Sequence, residues 1–273
     1  MIKNFITDKL DIIILAGQSN ASGCGLGETE TPWVKDERIL KFSEKYSADV
    51  AQTEYGNEYL DIKIIDEQTI SVADERNDGK GQKISGFDLA FAKEYANKYL
   101  EKDRKLLIVD TSIGGTGFSK KHWGVGDLLY ERMFRLTDLA LSMNNENRIV
   151  AVLWHQGEHD TFENAQFNYE ERFEFYKSKF GAFMQGLRAK YGEQPFICAG
   201  FTSVWVGNYP EQCKAVLTAC KEVLSNYSKT AMVNTEDLKN NDAAIGNKDI
   251  VHFSKDACYK LGRRYFKAFE EIK

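Results

Sequence analysis

Asp11-Ile12-Ile13-Ile14-Leu15-Ala16-Gly17-Gln18-Ser19-Asn20-Ala21-Ser22-Gly23 is the stretch around which the chain is organised. Its unbroken run of β-branched and aliphatic residues reads as a strand buried on both faces, the kind that sits centrally in a parallel sheet. The run stops at Gly17. In open α/β sheets ligands bind beyond the carboxyl ends of such strands, so a hydroxyl two residues past the turn glycine is presented at the expected site. Ser19 is therefore the first candidate for chemistry. A phosphate-binding loop requires Lys followed by Ser or Thr after its glycines, and none is present, while Gly23-Cys24-Gly25-Leu26-Gly27 misses the dinucleotide spacing. The Gly-x-Ser-x-Gly elbow of α/β-hydrolases fails at Ala21. A serine that merely caps a short helix stays open as the plain reading of Ser19.

The chain has 273 residues and a net charge of -5, with no block of Lys or Arg. That length suits one α/β domain over residues 1–273, and the charge distribution lacks the footprint of a nucleic-acid partner or of binding to an anionic membrane. The amino-terminal residues show no apolar signal segment, so a cytoplasmic location is expected. Five cysteines, Cys24, Cys198, Cys213, Cys220 and Cys258, are scattered without metal-ligand spacing and read as reduced structural thiols.

Outward from the first strand, the pattern alternates. Short or buried strands are expected over 38–43, 105–110, 148–154, 195–201 and 231–234. Helical spacing of apolar residues marks 87–96, 128–140, 211–225 and 255–269, and one long helix is expected over 163–191, ending at Gly192. Residues 44–83 are polar and irregular, a surface insertion with a hairpin expected between 59–65 and 69–72. Repeated β-α units imply a central parallel sheet covered by helices on both faces, a three-layer α/β/α sandwich.

Three polar clusters follow expected strand ends, at Ser19, at Gly114-Gly115 and at His155-Gln156-Gly157-Glu158. Right-handed crossovers bring those ends to one edge of the sheet, so the clusters converge although they are far apart in sequence. A serine nucleophile needs a base. Of the four histidines, His252 has a carboxylate three residues earlier, Asp249, within reach of the imidazole nitrogen that does not face Ser19. A loop pair beside a helix start is the rival reading of those two residues. Attack on an acyl carbon also creates an oxyanion, for which the backbone N–H groups of Ser19 and Gly115 and the side-chain amide of Gln156 are the expected donors. His155 and His159 invite a zinc reading, but Glu158 stands in the wrong place for His-Glu-x-x-His, and no catalytic metal is expected. Trp123, Trp205 and Tyr209 are candidates for an apolar platform under a sugar ring, with core packing as the alternative.

Taken together, Gly17-Gln18-Ser19-Asn20, Gly114-Gly115-Thr116, Trp154-His155-Gln156-Gly157-Glu158-x-Asp160 and Asp249-x-x-His252 resemble the sialate O-acetylesterase and acetylxylan-esterase-like branch of the SGNH hydrolase superfamily. The resemblance extends from Asp11 to about Arg264. It implies a flavodoxin-like fold and a serine esterase that needs no cofactor or metal and removes acetyl groups from small acetylated carbohydrates. By matching positions Ser19 is the nucleophile, His252 the base, Asp249 its orienting acid, and Ser19, Gly115 and Gln156 the oxyanion hole. Gln18, Asn20, Glu158 and Trp123 are expected to bind substrate or support loops. Two departures bear on the substrate: Ala21 follows Asn20 where this branch often has Met, and His159 replaces a small residue. The competing functions are a non-catalytic carbohydrate-binding protein on an esterase fold and a short-chain lipase-like or thioesterase-like hydrolase.

Overall fold

The opening aliphatic run forms strand β1 (Lys9–Gly17), in which every residue after Lys9 is buried. A computed structural model describes residues 2, 4–44, 60–69 and 83–273. After β1 come α1 (Ser19–Ser22), β2 (Ile39–Glu44), β3 (Leu60–Ile64), β4 (Gln68–Thr69) and β5 (Lys83–Ile84). Regular alternation follows with α2 (Phe87–Lys98), β6 (Arg104–Asp110), α3 (Leu128–Ser142), β7 (Arg148–His155), α4 (Glu158–Phe162) and α5 (Tyr169–Tyr191). The chain closes with β8 (Phe196–Ala199), α6 (Ser203–Asn208), α7 (Pro210–Leu224), β9 (Thr230–Val233), α8 (Asn241–Ile245) and α9 (Lys255–Ile272).

Seven strands build one sheet in the order β3-β2-β6-β1-β7-β8-β9, with β1 hydrogen-bonded in parallel to β6 and β7. Both faces of β1 are therefore covered. Ile13 and Leu15 pack with α2 and α9, whereas Ile14 and Ala16 pack with α3, α5 and α7. This is the expected α/β/α sandwich, and period-two alternation along one strand feeds both of its apolar layers. Ile12, Ile13, Ile14 and Leu15 are fully buried, each side chain contributing about 1.5–3 kcal/mol relative to exposure.

Three sequence expectations need correction. The sheet is not wholly parallel, because β3 pairs antiparallel with β2. Its residues thus complete a sheet edge; of the stretch 69–72 expected to pair with them, Thr69 pairs instead with Lys83 of β5, and residues 70–72 lie outside the described residues. The long helix expected over 163–191 starts late: residues 163–168 are not helical, Asn164 takes a left-handed backbone, and Asn168 opens α5 through a capping box with Glu171, while a separate short helix, α4, precedes it. Two local hydrogen bonds at that cap fix the helix start there and outcompete an earlier one. Among the described residues no helix is long and apolar enough to cross a membrane.

At the end of the sheet opposite Gly17, Asp11 is fully buried, where its carboxylate accepts from Arg104 Nε and Arg148 Nε at 2.7 Å each and from Tyr95 Oη at 2.7 Å. Such a charge is tolerated only while paired. Asp11→Ala leaves the buried Arg104 guanidinium uncompensated, and a loss of about 3–5 kcal/mol in urea unfolding is the expected result; a loss below 1 kcal/mol would contradict this account.

Candidate active site

The turn that carries Ser19 begins with a constraint on the backbone. Gly17 has φ of 128°, and a Cβ there would lie 2.0 Å from the carbonyl oxygen of His155. Only glycine lets the ends of β1 and β7 approach so closely. Gln18 N then donates to that same His155 oxygen at 2.9 Å, and Ser19 opens α1 at the carboxyl end of the central strand.

The remote end of the chain brings in the histidine expected to act as base. His252 Nε2 lies 2.8 Å from Ser19 Oγ, and its Nδ1 lies 2.8 Å from Asp249 Oδ2. Asp249 is held in turn: Oδ2 accepts from Asn241 Nδ2 at 2.9 Å, while Oδ1 accepts from the backbone N–H groups of Val251 and His252 at 3.3 and 3.2 Å. Burial pushes the Asp249 carboxyl up, but the bonds from His252, Asn241 and the backbone outweigh it and hold it below the usual carboxylate range. An ionised acceptor fixes the imidazole with its proton on Nδ1 and its lone pair toward Ser19.

Asn20 ties the two ends together. Its Nδ2 donates to Val251 O at 3.1 Å, its Oδ1 accepts from Phe253 N at 3.2 Å, and these bonds flank His252 on both sides. The same Nδ2 donates to Glu158 Oε1 at 2.6 Å. Glu158 is buried, which pushes its carboxyl up, yet His155, 3.2 Å away, and Asn20 outweigh burial and hold it below its ordinary value. Of the roles expected for Asn20 and Glu158, loop support is what their contacts describe. Asn20→Ala removes the staple, and since a displacement of about 1 Å in a catalytic contact costs roughly 100-fold, kcat for ester hydrolysis is expected to fall about 10- to 100-fold. Unchanged kcat would show that His252 keeps its place without it.

Gly114 and Gly115 lie where the sequence placed them. A Cβ on Gly114 would sit 3.5 Å from Ser19 Cβ, whereas one on Gly115, with φ of 71°, would meet nothing within 4 Å. Gly115 therefore turns a bare backbone toward the open cleft beside Ser19. Gln156 does not. Its Nε2 donates to Asp160 Oδ2 at 2.6 Å, with longer bonds to Thr116 O and Gln18 Oε1, and its Oε1 accepts from Tyr176 Oη at 3.0 Å. The amide expected in the oxyanion hole is thus occupied behind it.

Of the roles expected for Trp123, loop support from the core is what its contacts describe, and a sugar platform is not. Trp123 is fully buried, donates Nε1 to Thr116 Oγ1 at 2.9 Å and packs edge-on against Trp154, so it braces the Gly114–Gly115 loop from the core. A cleft of about 590 Å³ opens over Ser19 and His252, walled by His159, Phe162 and Trp205 and reached by Lys248. Phe162 stands edge-on to both His159 and Trp205, while Tyr209 packs against Trp205 at 4.5 Å. A larger cleft, about 740 Å³, lies between residues 27–30 and the start of α9 and contains none of the nominated groups. Asn241, Phe162 and Lys248 were not found from sequence: an asparagine doublet, a phenylalanine and a lysine in loops carry no spacing signal. Among the described residues no three His, Cys, Asp or Glu side chains gather as metal ligands, and His155 is buried against Tyr265 and Glu158 while His159 faces the cleft.

Known structures share this fold. NanS matches over 97% of each chain with a TM-score of 0.73 at 19% identity, and an Arabidopsis thaliana protein matches over 97% of this chain and 98% of its own with 0.66 at 21%. A carbohydrate acetylesterase from Xanthomonas citri matches over 96% of this chain and 56% of its own with 0.59 at 18%. At these identities the likeness is one of fold. No curated protein matches in sequence. Residues 9–271 match the family model described as carbohydrate esterase, sialic acid-specific acetylesterase, and with nearly the whole sequence inside that match, the chain belongs to this family of carboxylic ester hydrolases that remove O-acetyl groups from carbohydrates.

Proposed function

We propose that the chain is a serine esterase that deacetylates carbohydrates through an acetyl-Ser19 intermediate. The observation that carries this reading is the unbroken chain Ser19 Oγ, His252, Asp249, with both bonds at 2.8 Å, at the floor of the 590 Å³ cleft. Mere binding of a sugar requires no such alignment. His252 Nε2 takes the Ser19 proton as Oγ bonds to the ester carbonyl carbon, and backbone donors at Ser19 and Gly115 receive the developing anion. The C–O bond to the sugar then breaks, and the leaving alkoxide takes the proton from His252. Water repeats the sequence, releasing acetate and restoring the Ser19 hydroxyl.

The aromatic wall formed by Phe162 and Trp205 suits the apolar face of a sugar ring, and Lys248 offers a cation to an acidic substituent such as the carboxylate of a sialic acid. Acetate release from O-acetylated sialic acids and from acetylated neutral oligosaccharides, alongside 4-nitrophenyl esters of rising acyl length, tests the reading. Sugar acetates should be cleaved, and kcat/KM should fall at least about tenfold from acetyl to octanoyl. Preference for long acyl chains, or failure on every sugar acetate, would point to the lipase-like or the binding function instead.

A further inference from the structure

The reading above leaves the oxyanion with two backbone donors and no side-chain donor, because Gln156 is engaged elsewhere. A polar side chain next to the nucleophile remains unused. Gln18 is 4% exposed and lines the same cleft as Ser19, Gly115 and His252. Its amide orientation is decided by its partners: Oε1 accepts from His159 N at 3.1 Å, Gly157 N at 3.3 Å and Gln156 Nε2 at 3.4 Å. Three donors on one oxygen leave Nε2 as the opposite end of the amide, and among the described residues it donates to nothing.

We infer that Gln18, through Nε2, is the third donor of the oxyanion hole, joining the N–H groups of Ser19 and Gly115. The inference rests on the serine-esterase reading. Its physical case has three parts. An N–H₂ that borders the cleft with no protein acceptor is free for an incoming oxyanion, and a donor whose bond forms only in the transition state accelerates reaction. The amide needs no reorganisation, since Gln156 and the N–H groups of Gly157 and His159 at the start of α4 clamp its oxygen in place. Donation onto Oε1 also polarises the amide and strengthens the donor at its other end. Gln156 then becomes a positioning residue: it holds Gln18, and Asp160 and Tyr176 hold it.

The test separates the two ends of the Gln18 amide. Gln18→Glu keeps an oxygen for the His159 and Gly157 N–H groups but removes the donor facing the cleft. The expected result on 4-nitrophenyl acetate is a 100- to 1,000-fold loss in kcat with KM within about threefold and an unchanged melting temperature. The rate of Ser19 labelling by a methylphosphonate ester, a tetrahedral mimic, should fall in parallel. Near-native kcat in Gln18→Glu would overturn the inference. Should that variant lose stability, the wild type decides: on forming the phosphonate adduct, the Gln18 side-chain amide proton should move downfield, and an unmoved resonance counts against the role. Ser19→Ala, run beside these, keeps the two levels apart. Turnover by Ser19→Ala defeats the serine-esterase reading itself, whereas a dead Ser19→Ala with an active Gln18→Glu defeats only the assignment of Gln18.

Discussion

Ser19→Ala should lower kcat for acetyl ester hydrolysis by about 10⁴- to 10⁶-fold while leaving unfolding free energy within about 0.5 kcal/mol of wild type. The size of the loss follows from what disappears. Without Oγ there is no atom to carry the acetyl group, and His252 Nε2, now 2.8 Å from nothing it can deprotonate, retains only a role toward water. The small effect on stability follows from position: Ser19 is part-exposed at the cleft, and alanine suits the first turn of α1. His252→Ala should be comparably inactive, because the members of such a chain act as a unit and their losses do not add. Turnover of Ser19→Ala within a hundredfold of wild type, measured by acetate release, would remove the nucleophile from the mechanism.

Asp249→Asn is the second large effect, about 10⁴-fold in kcat, and it arises from hydrogen-bond polarity alone. Every partner of Asp249 is a donor: His252 Nδ1 and Asn241 Nδ2 on one oxygen, and the N–H groups of Val251 and His252 on the other. A carboxylate satisfies all four, but an amide must turn its NH₂ toward one pair. Turned to His252, it forces the imidazole proton onto Nε2, where it faces Ser19 and cannot accept the hydroxyl proton. Turned to the backbone, it opposes two donors with two more. The wild-type pH profile should report the same arrangement. Asp249 and Glu158 are both held below their ordinary values, so neither takes up a proton above the ordinary carboxylate range, and the acid limb of kcat/KM should carry the slope of a single proton there. A slope of two above pH 5 would mean that one of those carboxyls titrates with the base.

What the sequence disclosed, and what it withheld, divides along a physical line. Strand β1, the crossover to β6 and β7, and the paired helices were legible because burial on two faces imposes a composition and helical packing imposes a period. Ser19, Gly115, Asp249 and His252 were legible because each follows a strand end or precedes a helix at a chemically required spacing. The start of α5 was not, since the helical pattern was read from residue 163 and only the Asn168 cap marks where the helix begins. Nor was the division of labour between Gln18 and Gln156. Both are glutamines beside strand ends, and which amide faces the cleft depends on Asp160 and Tyr176, whose approach no local spacing encodes. Asn20 and Asn241 work through loops more than 200 residues distant, a relation that exists only after folding.

The strand order carries a consequence for how this protein is born. β1 leaves the ribosome first, yet its two hydrogen-bonding neighbours are β6 and β7, the second of which ends about 140 residues later. At ordinary elongation speeds that interval is roughly 7–28 s. Until β6 is complete both edges of Ile12-Ile13-Ile14-Leu15-Ala16 are unpaired, and until β7 is complete one still is, and this β-prone, uncharged composition invites pairing with another nascent chain. The segment that makes the finished sheet secure is therefore its greatest hazard during synthesis. Asp8, Lys9 and Asp11 flank it with charge, and in the nascent chain they act as gatekeepers before Asp11 is ever buried.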